Sequence, residues 1–192
     1  MRRIRIFEHI SLDCVIAPPG DSAYAHGGWT TPYRSAEGRD ALIAVQGSSF
    51  DLLLGRRTYD LWSGFWPKAP KSPMADSLNA ATKYVATHRP DSLGWGPVKD
   101  LGADIIEGVR GIKSKDGPDL IVWGSSTLTS VLLGQGLIDE VVLLVYPVLL
   151  GRGKRFFSDN VDPRELALVS TKATSSGVLL NVYRYVGFLR TE

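Results

Sequence analysis

Apolar and polar positions alternate from Ile4 and the apolar character persists to Ile16, which predicts a first strand over residues 4–16. Ala17-Pro18-Pro19-Gly20-Asp21 must then interrupt regular structure, because proline lacks an amide donor and glycine favours turns. A long loop through Trp29 and Pro32 follows. Residues 35–45 have helical spacing, with Ala36, Leu42, Ile43 and Val45 available for a buried face, until Gly47 and Ser48 end the pattern. The next strand covers 50–54 and a short helix 58–62. Residues 63–73 read as a loop, since glycine, prolines and two aromatics crowd together there. Residues 83–87 form a short strand with His88-Arg89-Pro90 as its exit.

In the second half, Asp104 and Glu107 have the spacing of a capping box, and Ile105, Ile106, Val109 and Ile112 recur at helical intervals behind them. This helix should end near Lys115-Asp116-Gly117-Pro118. Leu120-Ile121-Val122-Trp123 is too uniformly apolar for a strand with a wet face and suits the centre of a parallel sheet. Ser126 or Thr127 opens a further helix that Gly134 and Gly136 terminate. Residues 141–145 make another buried strand, and 166–174 with 178–186 make a hairpin about Ser175-Ser176-Gly177. Strands alternating with helices predict a three-layer α/β domain whose mixed, mostly parallel sheet closes with a C-terminal antiparallel hairpin.

Composition narrows the classes. With 192 residues and 44% hydrophobic content, the chain suits one domain over 1–192, able to bury roughly 70% of its unfolded surface. A net charge of +2, with scattered lysines and arginines, gives no basic stripe for nucleic acid. No stretch is long enough to span a bilayer, and the charged start lacks the apolar run of a signal peptide. The single Cys14 excludes an internal disulfide and a multi-cysteine metal site, in keeping with a cytoplasmic protein; no metal is expected.

Two strand ends carry the chemistry. Leu52-Leu53-Leu54 stops at Gly55-Arg56-Arg57-Thr58, so a buried strand delivers two guanidinium groups and a hydroxyl to a rim where phosphate is a natural ligand. Read alone, this is equally a solvated arginine pair after a turn. Gly124-Ser125-Ser126-Thr127 joins a central strand to a helix and aims backbone amides at any anion placed there. Alone, it too reads as an ordinary helix start, and neither segment is a Rossmann or Walker fingerprint.

Four blocks in order and spacing supply the context: Ile10-Ser11-Leu12-Asp13-Cys14-Val15-Ile16-Ala17, Leu53-Leu54-Gly55-Arg56-Arg57-Thr58-Tyr59, Val122-Trp123-Gly124-Ser125-Ser126-Thr127-Leu128, and Leu137-Ile138-Asp139-Glu140 running into Tyr146-Pro147-Val148-Leu149-Leu150-Gly151-Arg152-Gly153. Together they resemble the dihydrofolate-reductase-like superfamily, most closely the reductase domain of riboflavin biosynthesis and its stand-alone relatives. The resemblance implies hydride transfer from NADPH, giving NADP, to a small heterocyclic or carbonyl substrate. Gly55, Arg56, Arg57 and Thr58 would bind the adenosine phosphates, with Thr87, His88 and Arg89 near the 2′-phosphate. Gly124, Ser125, Ser126, Thr127 and Leu128 would hold the pyrophosphate, and the backbone of Ile16 would meet the nicotinamide carboxamide. By similarity, Gly124-Ser125 carries a strained or cis peptide.

Departures bear on the substrate. Dihydrofolate reductases place a carboxylate after a Trp-x-x-Pro stretch, whereas Trp29-Thr30-Thr31-Pro32 is followed here by Tyr33 and Arg34. Dihydrofolate is therefore not the expected substrate. Glu37 and Asp40, one and two turns on, and Asp13 are the candidate proton donors, against the plain alternatives of solvent-facing or turn-forming acids. The riboflavin branch commonly has glycine where Cys14 stands. Trp29, Tyr33, Phe65 and Trp66 lie in early loops that the resemblance places near substrate, where aromatic rings would stack on a planar ligand or simply pack the loops down. A homodimer through residues 141–145 and the terminal hairpin is expected. A cofactor-binding module without turnover is the alternative to an enzyme.

Overall fold

A computed structural model describes residues 1–16, 24–157 and 162–190; the proline-glycine breaker at 17–21 lies outside the described residues. The strands are β1 (Ile4–Ser11), β2 (Phe50–Gly55), β3 (Lys83–Ala86), β4 (Val98–Asp100), β5 (Asp119–Trp123), β6 (Glu140–Tyr146), β7 (Arg164–Ala173) and β8 (Leu179–Phe188). The helices are α1 (Ala36–Gln46), α2 (Arg56–Phe65), α3 (Pro73–Ala80), α4 (Ile105–Lys113) and α5 (Ser126–Gly134). The strands form one mixed sheet of eight in the order β4-β3-β2-β5-β1-β6-β8-β7. β2 is parallel to β3 and β5, β3 is parallel to β4, and β6, β8 and β7 run antiparallel in succession.

Contacts divide the chain into two compact units interleaved in sequence. The first comprises Met1–Ile6 and Gln46–Ile138, and the second Phe7–Val45 and Asp139–Glu192. In the first, Ile4, Ile6, Leu52, Leu53, Leu54, Val85, Leu120, Ile121 and Val122 are wholly buried, each worth about 2 kcal/mol in transfer from water. In the second, Phe7, Val141, Val142 and Phe156 play that part.

Several boundaries differ from the periodicity reading. The first strand stops at Ser11, where Cys14 adopts a left-handed φ of 66°, and Val15 rejoins only through an isolated bridge to Arg155. α1 buries Ala41, Leu42 and Gln46 rather than Ala36, Ile43 and Val45. α2 begins at Arg56, two residues before the predicted helix, and runs on to Phe65, so most of the expected 63–73 loop is ordered. Tyr59, Trp62 and Trp66 fall on one helical face, which outweighs the modest cost of Gly64. Two of the prolines sit in the first turn of an element rather than break one, while Pro70 lies between elements. Pro67 is the second residue of a single 3-10 turn, Trp66–Lys68, and Pro73 is the first residue of α3, whose cap Ser72 accepts a bond from the Ala75 amide at 3.2 Å. α3 and β4 had no periodic signature. The Asp104 box is half realised: its carboxylate accepts from the Glu107 amide at 3.0 Å, but Glu107 turns to Arg110 at 2.7 Å.

Residues 141–145 cannot serve as a docking edge, because β6 is interior in the strand order and pairs with β8 from Glu140 to Val145. The edge strands are β4 and β7, and on β7 Leu168 and Val169 are exposed.

Candidate functional site

In the first unit, the two strand-end turns are tied together. Ser125 Oγ accepts the Gly55 amide at 2.9 Å and donates to the Trp123 carbonyl at 3.0 Å, while the Ser125 amide donates to Thr58 Oγ1 at 3.1 Å. Gly124 and Ser125 have consecutive left-handed φ values of 55° and 49°, so strain is present, but the peptide between them is not cis. A Cβ on Gly124 would stand 3.4 Å from Thr58 Oγ1. A Cβ would thus just make contact, and it is the left-handed φ that favours glycine here.

The helix starts differ in kind. α3 and α4 are capped by Ser72 and Asp104 and carry Asp76 and Glu107 in their first turns. α2 and α5 begin at the tied turns with no side-chain cap and no acid in the first turn. Ser125, rather than Ser126 or Thr127, occupies the cap position of α5, and its hydroxyl is engaged with Gly55. Two helix dipoles therefore start at linked turns without an internal anion, as a pyrophosphate site requires.

Arg56 is not the outward-reaching group the sequence suggests. It pairs with Asp60 at 2.8 Å and donates to Thr87 Oγ1 at 3.3 Å, the Arg89 carbonyl at 2.9 Å and Ser92 Oγ at 2.7 Å. It braces the exit of β3. Thr87 is buried and also accepts the Arg89 amide at 3.0 Å. Arg57, His88 and Arg89 are exposed, with Arg89 3.5 Å from Asp60. Leu128 is core, so only its backbone faces the turn, whereas Thr127 is exposed. Trp66 belongs to an aromatic cluster with Trp62 at 5.8 Å and Phe65 at 5.1 Å between ring centroids.

The second unit holds a cavity of about 490 Å³ lined by His9, Tyr33, Arg34, Arg39, Leu42, Tyr146, Thr174 and Ser176, among others. His9 and Tyr146 stand near the carboxyl ends of β1 and β6, with Nδ1 2.8 Å from the phenolic oxygen. The edges of Trp29 and Tyr33 pack on the Tyr146 ring at 5.0 and 5.7 Å. Burial pushes the Tyr146 phenol up to about 12, against the opposing pull of Arg34. Burial, reinforced by Arg34, lowers His9 to about 4, so the ring is neutral. Glu8, next along β1, is raised to about 8 by burial, partly offset by the His9 amide.

The expected acids are occupied elsewhere. The Asp13 carboxylate accepts from Ser11 Oγ at 2.6 Å and the amides of Leu150 and Gly151 at 3.1 and 2.7 Å, bonds that hold it down to about 2. It is a clamp for the 150–151 turn. Glu37 accepts the Ser175 amide at 2.9 Å, which lowers it, and Asp40 is exposed beside Arg39. None of the three lines the cavity. Ile16 is buried and its amide donates to the Lys154 carbonyl at 2.8 Å. His9 and Tyr146 escaped the sequence reading, although each sits near the carboxyl end of an apolar strand, where open α/β sheets place ligands.

The RibD C-terminal domain family matches residues 2–180. The chain belongs to that family. Among curated proteins, YyaP of Bacillus subtilis strain 168, described as uncharacterized, is 31% identical over 140 residues, covering 71% of this chain and 74% of YyaP. The RibD C-terminal fold is also shared, at a TM-score of 0.66 and 15% identity, with a diaminohydroxyphosphoribosylaminopyrimidine deaminase/5-amino-6-(5-phosphoribosylamino)uracil reductase from Thermotoga maritima, over 96% of this chain and 57% of that one. Dihydrofolate reductase from Enterococcus faecalis, solved in complex with NADP(H), superposes at a TM-score of 0.61 and 14% identity, covering 95% and 96% of the two chains. RibD C-terminal domains are reductase domains, and this chain is an oxidoreductase of that riboflavin-pathway type. Among the described residues, no helix is long and apolar enough to cross a membrane.

Proposed function

We propose that the protein is an NADPH-dependent reductase that transfers hydride to a small heterocyclic or carbonyl substrate. The observation that carries this reading is the pair of helices, α2 and α5, that start at hydrogen-bonded turns with neither cap nor acid. The residues fit the cofactor. The amides that open α2 and α5 would take the pyrophosphate, and the exposed Arg57, His88 and Arg89 would take the 2′-phosphate that distinguishes NADPH from NADH. Arg56 and Thr87 hold that segment in place. Bound there, the nicotinamide supplies the hydride; the protein binds, orients and provides a proton.

The second unit's cavity would receive the acceptor, and its volume and aromatic walls suit a ring-bearing molecule. The ribosylaminopyrimidine named for the Thermotoga enzyme is the first substrate to try. Two copies would associate through the exposed edge strand β7.

Calorimetric titration of wild type and Arg57→Ala/Arg89→Ala with NADPH and NADH tests the cofactor reading. Wild type should bind NADPH saturably, and the double variant should lose roughly 10- to 100-fold for NADPH but less than about threefold for NADH. No saturable NADPH binding, or equal losses for both dinucleotides, would refute it.

A further inference from the structure

The cavity of the second unit contains no carboxylate among its described lining residues. Its titratable and charged lining, drawn from every element packed around it, consists of His9, Tyr33, Arg34, Arg39 and Tyr146. Hydride addition to a polar double bond nevertheless leaves a negative charge that needs a proton. The three carboxylates closest in sequence to a donor role, Asp13, Glu37 and Asp40, are engaged outside the cavity. What the cavity offers instead is a phenol held on three sides: by the His9 ring at 5.6 Å, by Trp29 at 5.0 Å and by Tyr33 at 5.7 Å between centroids.

Resting on the reductase reading above, we propose that Tyr146 is the catalytic proton donor and His9 its positioning partner, so that the cavity selects a substrate whose accepting group is a carbonyl. His9, in the tautomer with a proton on Nδ1, donates to the Tyr146 oxygen across 2.8 Å and leaves the phenolic hydrogen to point at the substrate. Given a hydride, which a bound reduced nicotinamide would supply, the carbonyl carbon would form a C–H bond as the carbonyl π pair moves onto oxygen. That oxygen takes the phenolic proton, giving an alcohol and a tyrosinate. A bound reduced nicotinamide would be the reductant, losing two electrons with the hydride as the carbonyl gains them. The tyrosinate is held by the His9 N–H and the nearby positive charge of Arg34 until solvent returns a proton.

The electrostatics agree with this direction of transfer. A phenol near 12 is a weaker acid than any carboxylic acid, yet far stronger than the alcohol that forms, so the transfer runs downhill. Such a donor stays protonated across the whole neutral range. A carboxylic acid would be spent above its own pKa, and Glu8, at about 8, would fail in mid-range.

Wild type, Tyr146→Phe, His9→Ala, His9→Asn and His9→Gln are compared, each first titrated with NADPH alone. Failure of wild type to bind NADPH would overturn the cofactor reading without touching the second readout. That readout is the NMR shift of the carbonyl carbon of isotopically labelled benzaldehyde. It should move downfield on binding wild type, remain in place with Tyr146→Phe, and move with His9→Asn, whose amide reaches the Nδ1 position, more than with His9→Ala or His9→Gln. In turnover of aromatic aldehydes and ketones, wild-type kcat should be flat from about pH 6 to 9. Tyr146→Phe should lose at least about 100-fold, bind NADPH within about twofold of wild type, and acquire a rate that falls with rising pH. An absent carbonyl shift in wild type, a Tyr146→Phe variant with unchanged shift or kcat, or a wild-type limb near 8 that assigns the proton to Glu8 would each overturn the proposal.

Discussion

The two compact units differ in the polar groups they leave available. In the first, buried charge is fixed by strong partners. Arg2 pairs with Asp51 and donates to the Pro118 carbonyl at 2.6 Å, and Lys83 donates to the carbonyls of Asn79 and Gly96 at 2.6 and 3.3 Å beneath the Trp95 ring. What remains available is backbone dipole at two uncapped helix starts. Burial shifts groups in both units: in the first it lowers Lys83 to about 8, against the opposing pull of Asp51, while the ammonium stays held by the two carbonyls; in the second it lowers His9 and raises Tyr146, which both line the cavity, and raises Glu8. Binding an anion that is always charged calls for fixed dipoles, which do not change state. Moving a proton calls for a side chain that can change state. Under the proposed function, the first would be the cofactor-binding unit and the second the chemical unit.

The sharpest way to break that comparison is Gly124→Val. A β-branched side chain at φ 55° is strained on its backbone, and its branches would extend beyond a Cβ already in contact with Thr58 Oγ1 at 3.4 Å, so the turn should be displaced. NADPH affinity should fall about 100-fold, or about 2.7 kcal/mol, in calorimetry. The labelled-carbonyl shift in the second unit should persist, and its loss would show that the two tasks are not separable.

Next comes the pH dependence of stability. His9 is neutral in the fold down to about 4 while the unfolded chain takes a proton below 6.5, so between those values stability rises with pH. Glu8 remains protonated in the fold up to about 8 while the unfolded chain ionises above 4.5, so across that window stability falls with pH. The two oppose each other up to 6.5, and from there to 8 Glu8 acts alone. Urea unfolding should show wild type losing up to about 1.4 kcal/mol per pH unit in that upper window, with Glu8→Gln markedly flatter. Parallel curves would show that the Glu8 carboxyl is not a buried acid.

The smallest effect is expected at Cys14, whose φ of 66° suits glycine. Cys14→Gly should raise stability by about 0.5–1 kcal/mol in the same assay, since relief of left-handed strain exceeds the added chain entropy. A loss of stability would mean that the thiol packs more usefully than its backbone geometry suggests.

Much of the first unit was legible in the chain. Apolar runs that end in Gly55 and Gly124 predict strand ends, and each anion turn, ambiguous alone, is strengthened by the other. The hydrogen bonds between Ser125, Gly55 and Thr58 supply in space the link that order along the chain only implies. Arg56 misled because a guanidinium after a strand has no fixed direction. Its four partners lie in α2 and in the segment around Thr87–Ser92, which no local pattern places beside it. The prolines at 67 and 73 misled for a different reason, since proline is excluded from helix interiors but favoured at helix starts. The second unit was less legible. His9 and Tyr146 are 137 positions apart, and each looks like an ordinary strand residue until β1 and β6 lie side by side.

The most direct measurement is amide chemical-shift mapping of the labelled protein with 2′-phospho-ADP-ribose, the part of NADPH that lacks the nicotinamide. The amides of Thr58, Ser126 and Thr127 should shift, together with those of His88 and Arg89, while His9, Tyr33 and Tyr146 stay in place. Shifts centred on the second unit's cavity, or none at the two helix starts, would contradict the assignment of the cofactor to the first unit.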